Sequence, residues 1–195
     1  MKQLSFIPKS KLEHGGLHSL NKRRSRRPLN IRRPVHLTLR SDLAKGHRSL
    51  LKNQAIVRRV LQRFAKRFRI QVYEFAICGN HIHCLVKAHA RRELQSFFRT
   101  LAGQIPQRIL QVYPLLHHEH HHPRGGTPHR LSKRRSPHPK NRRVFWSLLL
   151  WSRIVSWGRD YQAVKAYVIQ NTQEALEISA YKERAARPPK KKGSS

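Results

Sequence analysis

Two imidazoles one residue apart are the first residues that could do chemistry. In C78-G-N-H-I-H-C-L-V86, His81 and His83 sit inside an apolar run of a chain otherwise crowded with arginine and lysine. If that run is a β-strand, successive side chains alternate between faces: His81 and His83 point one way, Ile82, Cys84 and Val86 the other. Imidazoles at i and i+2 are spaced to share one metal ion, although two polar residues on the wet face of a strand give the same pattern. A zinc set of Cys78, His81, His83 and Cys84 is the rival, and alternation argues against it by turning Cys84 away from both histidines.

A metal-centred reaction also needs a nucleophile. Tyr167 and Asn171 are four residues apart in a segment with helical spacing, hence on one face and one turn apart. Val164 and Val168 form the neighbouring apolar stripe that would hold such a helix to a sheet, and no amide follows Tyr161 or Tyr181 at four residues. A helical tyrosine is equally at home as a core or surface residue. The run from His117 to His122, five histidines around Glu119, lies among Pro, Gly and basic residues and reads as a solvated loop able to scavenge metals without a defined site.

Charge identifies the class of partner. The chain holds 42 Lys and Arg against 9 Asp and Glu, a formal net charge of +33. So large a surplus attracts polyanions over long range, and nucleic acid is the default, because each neutralised phosphate releases condensed counterions. No stretch approaches a membrane span, and no amphipathic segment is one-sided enough to prefer lipid. Two cysteines, Cys78 and Cys84, make no disulfide framework and suit a reducing cytosol, and residues 1–16 carry no secretory signal pattern.

The elements that must position these residues follow from periodicity. Residues 1–33 are expected to be a basic, disordered arm, 34–180 the folded domain with a disordered His/Arg-rich insertion at about 117–143, and 181–195 a basic tail. Val35–Leu39 alternates as a short strand, and Leu50, Val57, Val60, Leu61, Phe64 and Phe68 predict a helix over about 49–67. Ile70–Cys78 and His81–Val86 form a hairpin about Gly79-Asn80. Leu94, Phe97, Phe98, Leu101, Ile105 and Ile109 predict a helix over about 91–112 with both phenylalanines in the core. A last strand falls at Arg153–Trp157, and Asp160 is placed to cap a helix from Tyr161 to Ser179. The order is that of an α+β split βαβ (ferredoxin/RRM-like) sandwich, with a central antiparallel sheet and helices on one face.

Three fragments in this order resemble the HUH single-strand DNA transposases with one catalytic tyrosine, close to the REP-associated tyrosine transposases. They are Arg33-Pro-Val-His-Leu-Thr-Leu-Arg40, Ala76-Ile-Cys-Gly-Asn-His-Ile-His-Cys-Leu-Val86, and Phe145-Trp with Ser152–Trp157 and Ala166-Tyr-Val-Ile-Gln-Asn171. The resemblance covers about residues 33–178 without the histidine-rich insertion. It implies that His81 and His83 bind a divalent ion, Mg²⁺ or Mn²⁺, and that Tyr167 attacks a DNA phosphate to leave a 5′-phosphotyrosine and a free 3′-OH. The family's third ligand is commonly a glutamine four residues after the tyrosine; here that position is Asn171, with Gln170 as the fallback. Gly79 stands where relatives often have proline. Single-stranded or hairpin DNA is the implied partner, in the bacterial nucleoid and cytoplasm, with a monomer or a homodimer both open. Lys87, Arg91, Arg92, Arg99 and Arg108 follow the histidine strand and are expected to meet the phosphates, although a very basic protein must have solvated basic faces somewhere. A non-catalytic DNA- or RNA-binding protein on the same fold is the competing expectation.

Overall fold

A computed structural model of the chain describes residues 12–19, 25–114 and 144–177. The expected insertion at 117–143 and the tail at 181–195 lie outside the described residues. Five strands and three α-helices run in the order β1 (Glu13–His14), β2 (Val35–Arg40), α1 (Gln54–Arg67), β3 (Gln71–Ile77), β4 (His81–Lys87), α2 (Arg91–Val112), β5 (Trp151–Ile154) and α3 (Arg159–Ala175). The sheet is antiparallel throughout, ordered β1-β5-β2-β4-β3.

Alternation along β2 and β4 builds the core. Val35, Leu37 and Leu39 lie on the same side as Ile82, Cys84 and Val86, and all six are buried in one apolar cluster with Val57, Leu61, Leu94, Phe97 and Leu101 of α1 and α2. The opposite face carries a smaller cluster in which Ala76 and Leu85 meet Val164 and Val168 of α3. The α+β sandwich is therefore as expected for α1 and α2, whereas α3 crosses the histidine-bearing face. The split follows from α3's own stripe: Val164 and Val168 are buried, and Leu85 and Ala76 are the apolar residues that this face offers.

Helix α2 keeps its predicted bounds although Pro106 sits within it. Proline has no N–H to give to the carbonyl four residues back, which is that of Ala102. Trp146 fills the vacancy, its indole N–H donating to the Ala102 oxygen at 2.7 Å. Helix α1 starts at Gln54 rather than near residue 49. The Leu50 amide is committed to the Gly79 carbonyl at 2.8 Å, and the Asn53 carboxamide donates to the carbonyls of His47 and Ser49, which holds the chain in turns until residue 54.

Two further expectations are corrected. The last strand is Trp151–Ile154, not Arg153–Trp157: the ladder to β2 ends where Ile154 pairs with Val35, and Pro34, the residue just before β2, offers only a carbonyl, which accepts from the Val155 amide at 2.9 Å. The arm expected to be disordered is instead partly docked, with Glu13 and His14 pairing with Arg153 and Ser152. Gly15 makes this possible; it has φ +87° and passes so close to the Leu150 carbonyl that no side chain fits.

The Pro106–Trp146 arrangement predicts a coupling. Trp146→Phe should destabilise the fold by about 1 kcal/mol by orphaning the Ala102 carbonyl, and the loss should shrink in a Pro106→Ala background, where the helix supplies its own donor. A denaturant-unfolding double-mutant cycle reads both.

Candidate active site

Strand β4 presents His81 and His83 on one face, their ring centroids 4.8 Å apart at 84°. The register opposes Thr38 of β2 to His83 and Arg40 to His81. Thr38 Oγ1 lies 3.0 Å and His36 Nε2 3.2 Å from His83 Nδ1, while His81 Nδ1 lies 2.8 Å from the Asn80 side-chain oxygen. Both imidazoles are thus gripped through Nδ1. That is how neighbouring groups fix a histidine's tautomer so that Nε2 serves as a ligand atom.

The tyrosine arrives from the other direction. Helix α3 sets the Tyr167 ring 5.2 Å from His83 and 5.9 Å from His36, edge-on to both. Trp151 of β5 closes the far side, 5.3 Å from His36. Phenol, imidazoles and indole therefore converge on one patch of sheet. His36, Thr38 and Trp151 were missed in the sequence. The signal for the first two was present: in Val35–Leu39 the same alternation that selects His81 and His83 puts His36 and Thr38 on the polar face.

Asn171, one turn beyond Tyr167, is buried at 3% exposure, and its carboxamide N–H donates to the Tyr167 carbonyl at 2.7 Å. Its backbone oxygen lies 3.9 Å from Cys78 Sγ, at the β3–β4 turn where His81 begins. Gln170 donates to the Glu174 carboxylate at 2.7 Å. Cys84 is fully buried on the helix-covered face, which pushes its thiol far above the usual range and takes it away from the histidines, as alternation required. Among the described residues, no three His, Cys, Asp or Glu side chains gather as a metal-binding group. By type, imidazole nitrogens and an amide oxygen suit a divalent ion; the contacts of Asn171 are to Tyr167 and Cys78 rather than to the imidazoles.

The electrostatics beneath the patch are set by β5. Burial, reinforced by the Arg153 guanidinium and opposed by Asp160, pushes the His36 imidazole down to about 4, so it is neutral at physiological pH. Arg153 pairs with Asp160 at 2.9 Å. Asp160 is not the N-cap of α3, as expected, but lies in its first turn after Gly158, whose φ of +84° swings the chain out of the sheet. From there its carboxylate accepts from Arg153 and from the Ser156 amide. Burial alone would raise Asp160, but the hydrogen bonds from Arg153 and Ser156 outweigh it and hold the carboxyl below its ordinary value.

The basic residues divide. Lys87 ends β4 on the histidine face, its ammonium 5.7 Å from the Trp157 ring centre. Arg91, Arg92, Arg99 and Arg108 are on α2, which covers the opposite face, so the structure does not bring them to the histidines. Arg91 also donates to the Arg27 carbonyl at 2.7 Å. No helix among the described residues is long and apolar enough to cross a membrane.

A family model described as "Transposase IS200 like" matches residues 36–125, which takes in β2 and the histidine strand and stops short of α3. The structure of a REP-associated tyrosine transposase bound to a REP hairpin is similar with a TM-score of 0.51 and 13% identity, covering 77% of this chain and 72% of that one. A candidate transposase from Deinococcus radiodurans R1 is similar at a TM-score of 0.41 and 14% identity, over 77% of this chain and 98% of that one. No curated protein matches. The resemblance read from the sequence thus holds, and the fold is that of the first of these structures.

The lowered Asp160 carboxyl contributes stability above the unfolded pKa of about 4, lost as pH falls through the lower folded value. Asp160→Asn should therefore cost about 1 kcal/mol at pH 7, allowing for its partial exposure. The gap to wild type should close in denaturant titrations below about pH 4.

Proposed function

We propose that this chain, similar over residues 36–125 to IS200-like transposases, is a metal-dependent transposase that nicks and rejoins single-stranded DNA through a tyrosine. The observation that carries the reading lies outside the family match: α3 returns to the histidine face and sets the Tyr167 ring 5.2 Å from His83. A solvated pair of strand histidines would need no such helix.

A neutral phenol is a weak nucleophile, so the phosphate must be made more electrophilic. A divalent ion, when bound by His81, His83 and the Asn171 carboxamide, supplies Lewis acidity toward a phosphate oxygen. Tyr167 Oη then attacks phosphorus, the bond from phosphorus to the 3′ oxygen breaks, and the proton lost by the phenol is balanced by one gained at the 3′-OH. The products are a 5′-phosphotyrosine and a free 3′-OH. Attack by a 3′-OH on that linkage reverses the step and joins strands, the phosphodiester energy being kept throughout. The neutral His36 and Thr38 act behind His83, holding its ring. The REP hairpin in the similar structure supports hairpin DNA as the substrate class.

Incubation of the protein with hairpin-bearing single-stranded oligonucleotides and Mn²⁺ should give a denaturation-resistant protein–DNA adduct, absent with EDTA and in Tyr167→Phe. Thr38→Val should weaken metal binding by about 10- to 100-fold while keeping the fold, as expected for loss of a group that orients a ligand. An adduct that persists in Tyr167→Phe would remove the proposed nucleophile. Tight, salt-sensitive binding with no adduct on any substrate would make the chain a DNA-binding protein without catalysis.

A further inference from the structure

Beyond the histidines, the same face of the sheet carries an aromatic group that the cleavage chemistry does not use. Trp157 follows β5 and is 48% exposed. Tyr73 and Tyr161 stand 5.8 and 5.1 Å from it, and 5.5 Å from each other. Lys87 lies over the indole, whose N–H is anchored on the Arg32 carbonyl at 2.9 Å. Tyr73 is brought here by an irregularity in β3: the pairing with β4 shifts between Val72 and Glu74, leaving Tyr73 without an opposite residue. Such bulges re-aim a side chain. Gly158, at φ +84°, is the pivot that leaves Trp157 standing at the sheet's edge.

We propose that Trp157, supported by Tyr73 and Tyr161, is a stacking platform for a base of single-stranded DNA, with Lys87 meeting the adjoining phosphate. The occupant follows from charge and shape. The chain carries +33, which recruits phosphates, while a half-exposed indole beside a lysine is the pairing by which sequence-tolerant single-strand binders hold an unpaired base. A duplex keeps its base faces stacked and offers none to the indole. Lys87 is four residues beyond His83 on the same face, roughly 13 Å along the strand. That is about four nucleotides at stacked spacing and fewer on an extended strand. The platform thus holds DNA flanking the phosphate at Tyr167, and it rests on the reading that this face binds single strands.

The test compares binding of the full chain, in EDTA, to a dT 12-mer and to a fully abasic 12-mer with the same phosphates. Wild type should prefer dT by about 5- to 100-fold. Trp157→Ala should erase most of that preference while leaving abasic affinity and its salt slope unchanged; Trp157→Phe, which keeps a ring, should retain part of it. Lys87→Gln should weaken both ligands and reduce the salt slope by about one. Equal wild-type affinity for the two 12-mers overturns the platform. So does a preference undiminished in Trp157→Phe and Trp157→Ala, or an equal loss for both ligands. Because no cleavage takes place in EDTA, a missing adduct at Tyr167 would not affect this result, nor would this result decide the nucleophile.

Discussion

The ladder between β2 and β4 is the constraint from which the rest of the molecule follows. Its register sets Thr38 opposite His83 and Leu37 opposite Cys84, so each opposed pair sends both side chains to one face and the next pair sends both to the other. On one face the result is an apolar surface that α1 and α2 cover. On the other it is a row of His36, Thr38, His81 and His83 that apolar packing alone would not select. A one-residue slip would exchange the faces, burying imidazoles against Phe97 and exposing Leu37 and Ile82. The cost of such a slip fixes the imidazoles in place before any ligand binds.

Charge is handled differently at the site and around it. His36, against His83, is neutral, and the guanidinium that bears on it, Arg153, is paired with Asp160 at 2.9 Å. An ion bound there would keep its full charge for a phosphate, because neither imidazoles nor amide oxygens offset it. Among the described residues, Arg91, Arg92, Arg99 and Arg108 lie on α2, which covers the other face.

What could be read in the sequence was what depends on local period. The hairpin about Gly79-Asn80, the bounds of α2 and the shared face of His81 and His83 all follow from repeats of two or of 3.6 residues. The elements misread were those decided by distant partners. Helix α1 starts late because the Leu50 amide is taken by the Gly79 carbonyl, almost thirty residues on. Strand β5 ends early because β2 meets it with a proline, and the arm at Glu13–His14 is docked because Gly15 alone can pass the Leu150 carbonyl. His36 was legible by alternation but has no motif of its own; only the sheet order brings it behind His83.

The central claim is that the histidine face holds a divalent ion through His81 and His83. Pulsed electron paramagnetic resonance of the Mn²⁺-loaded protein, with histidines labelled with ¹⁵N, tests it most directly. The account predicts couplings to two imidazole nitrogens, one of which disappears in His81→Ala and the other in His83→Ala. Manganese bound with no nitrogen coupling, or with couplings unchanged in both variants, would contradict it.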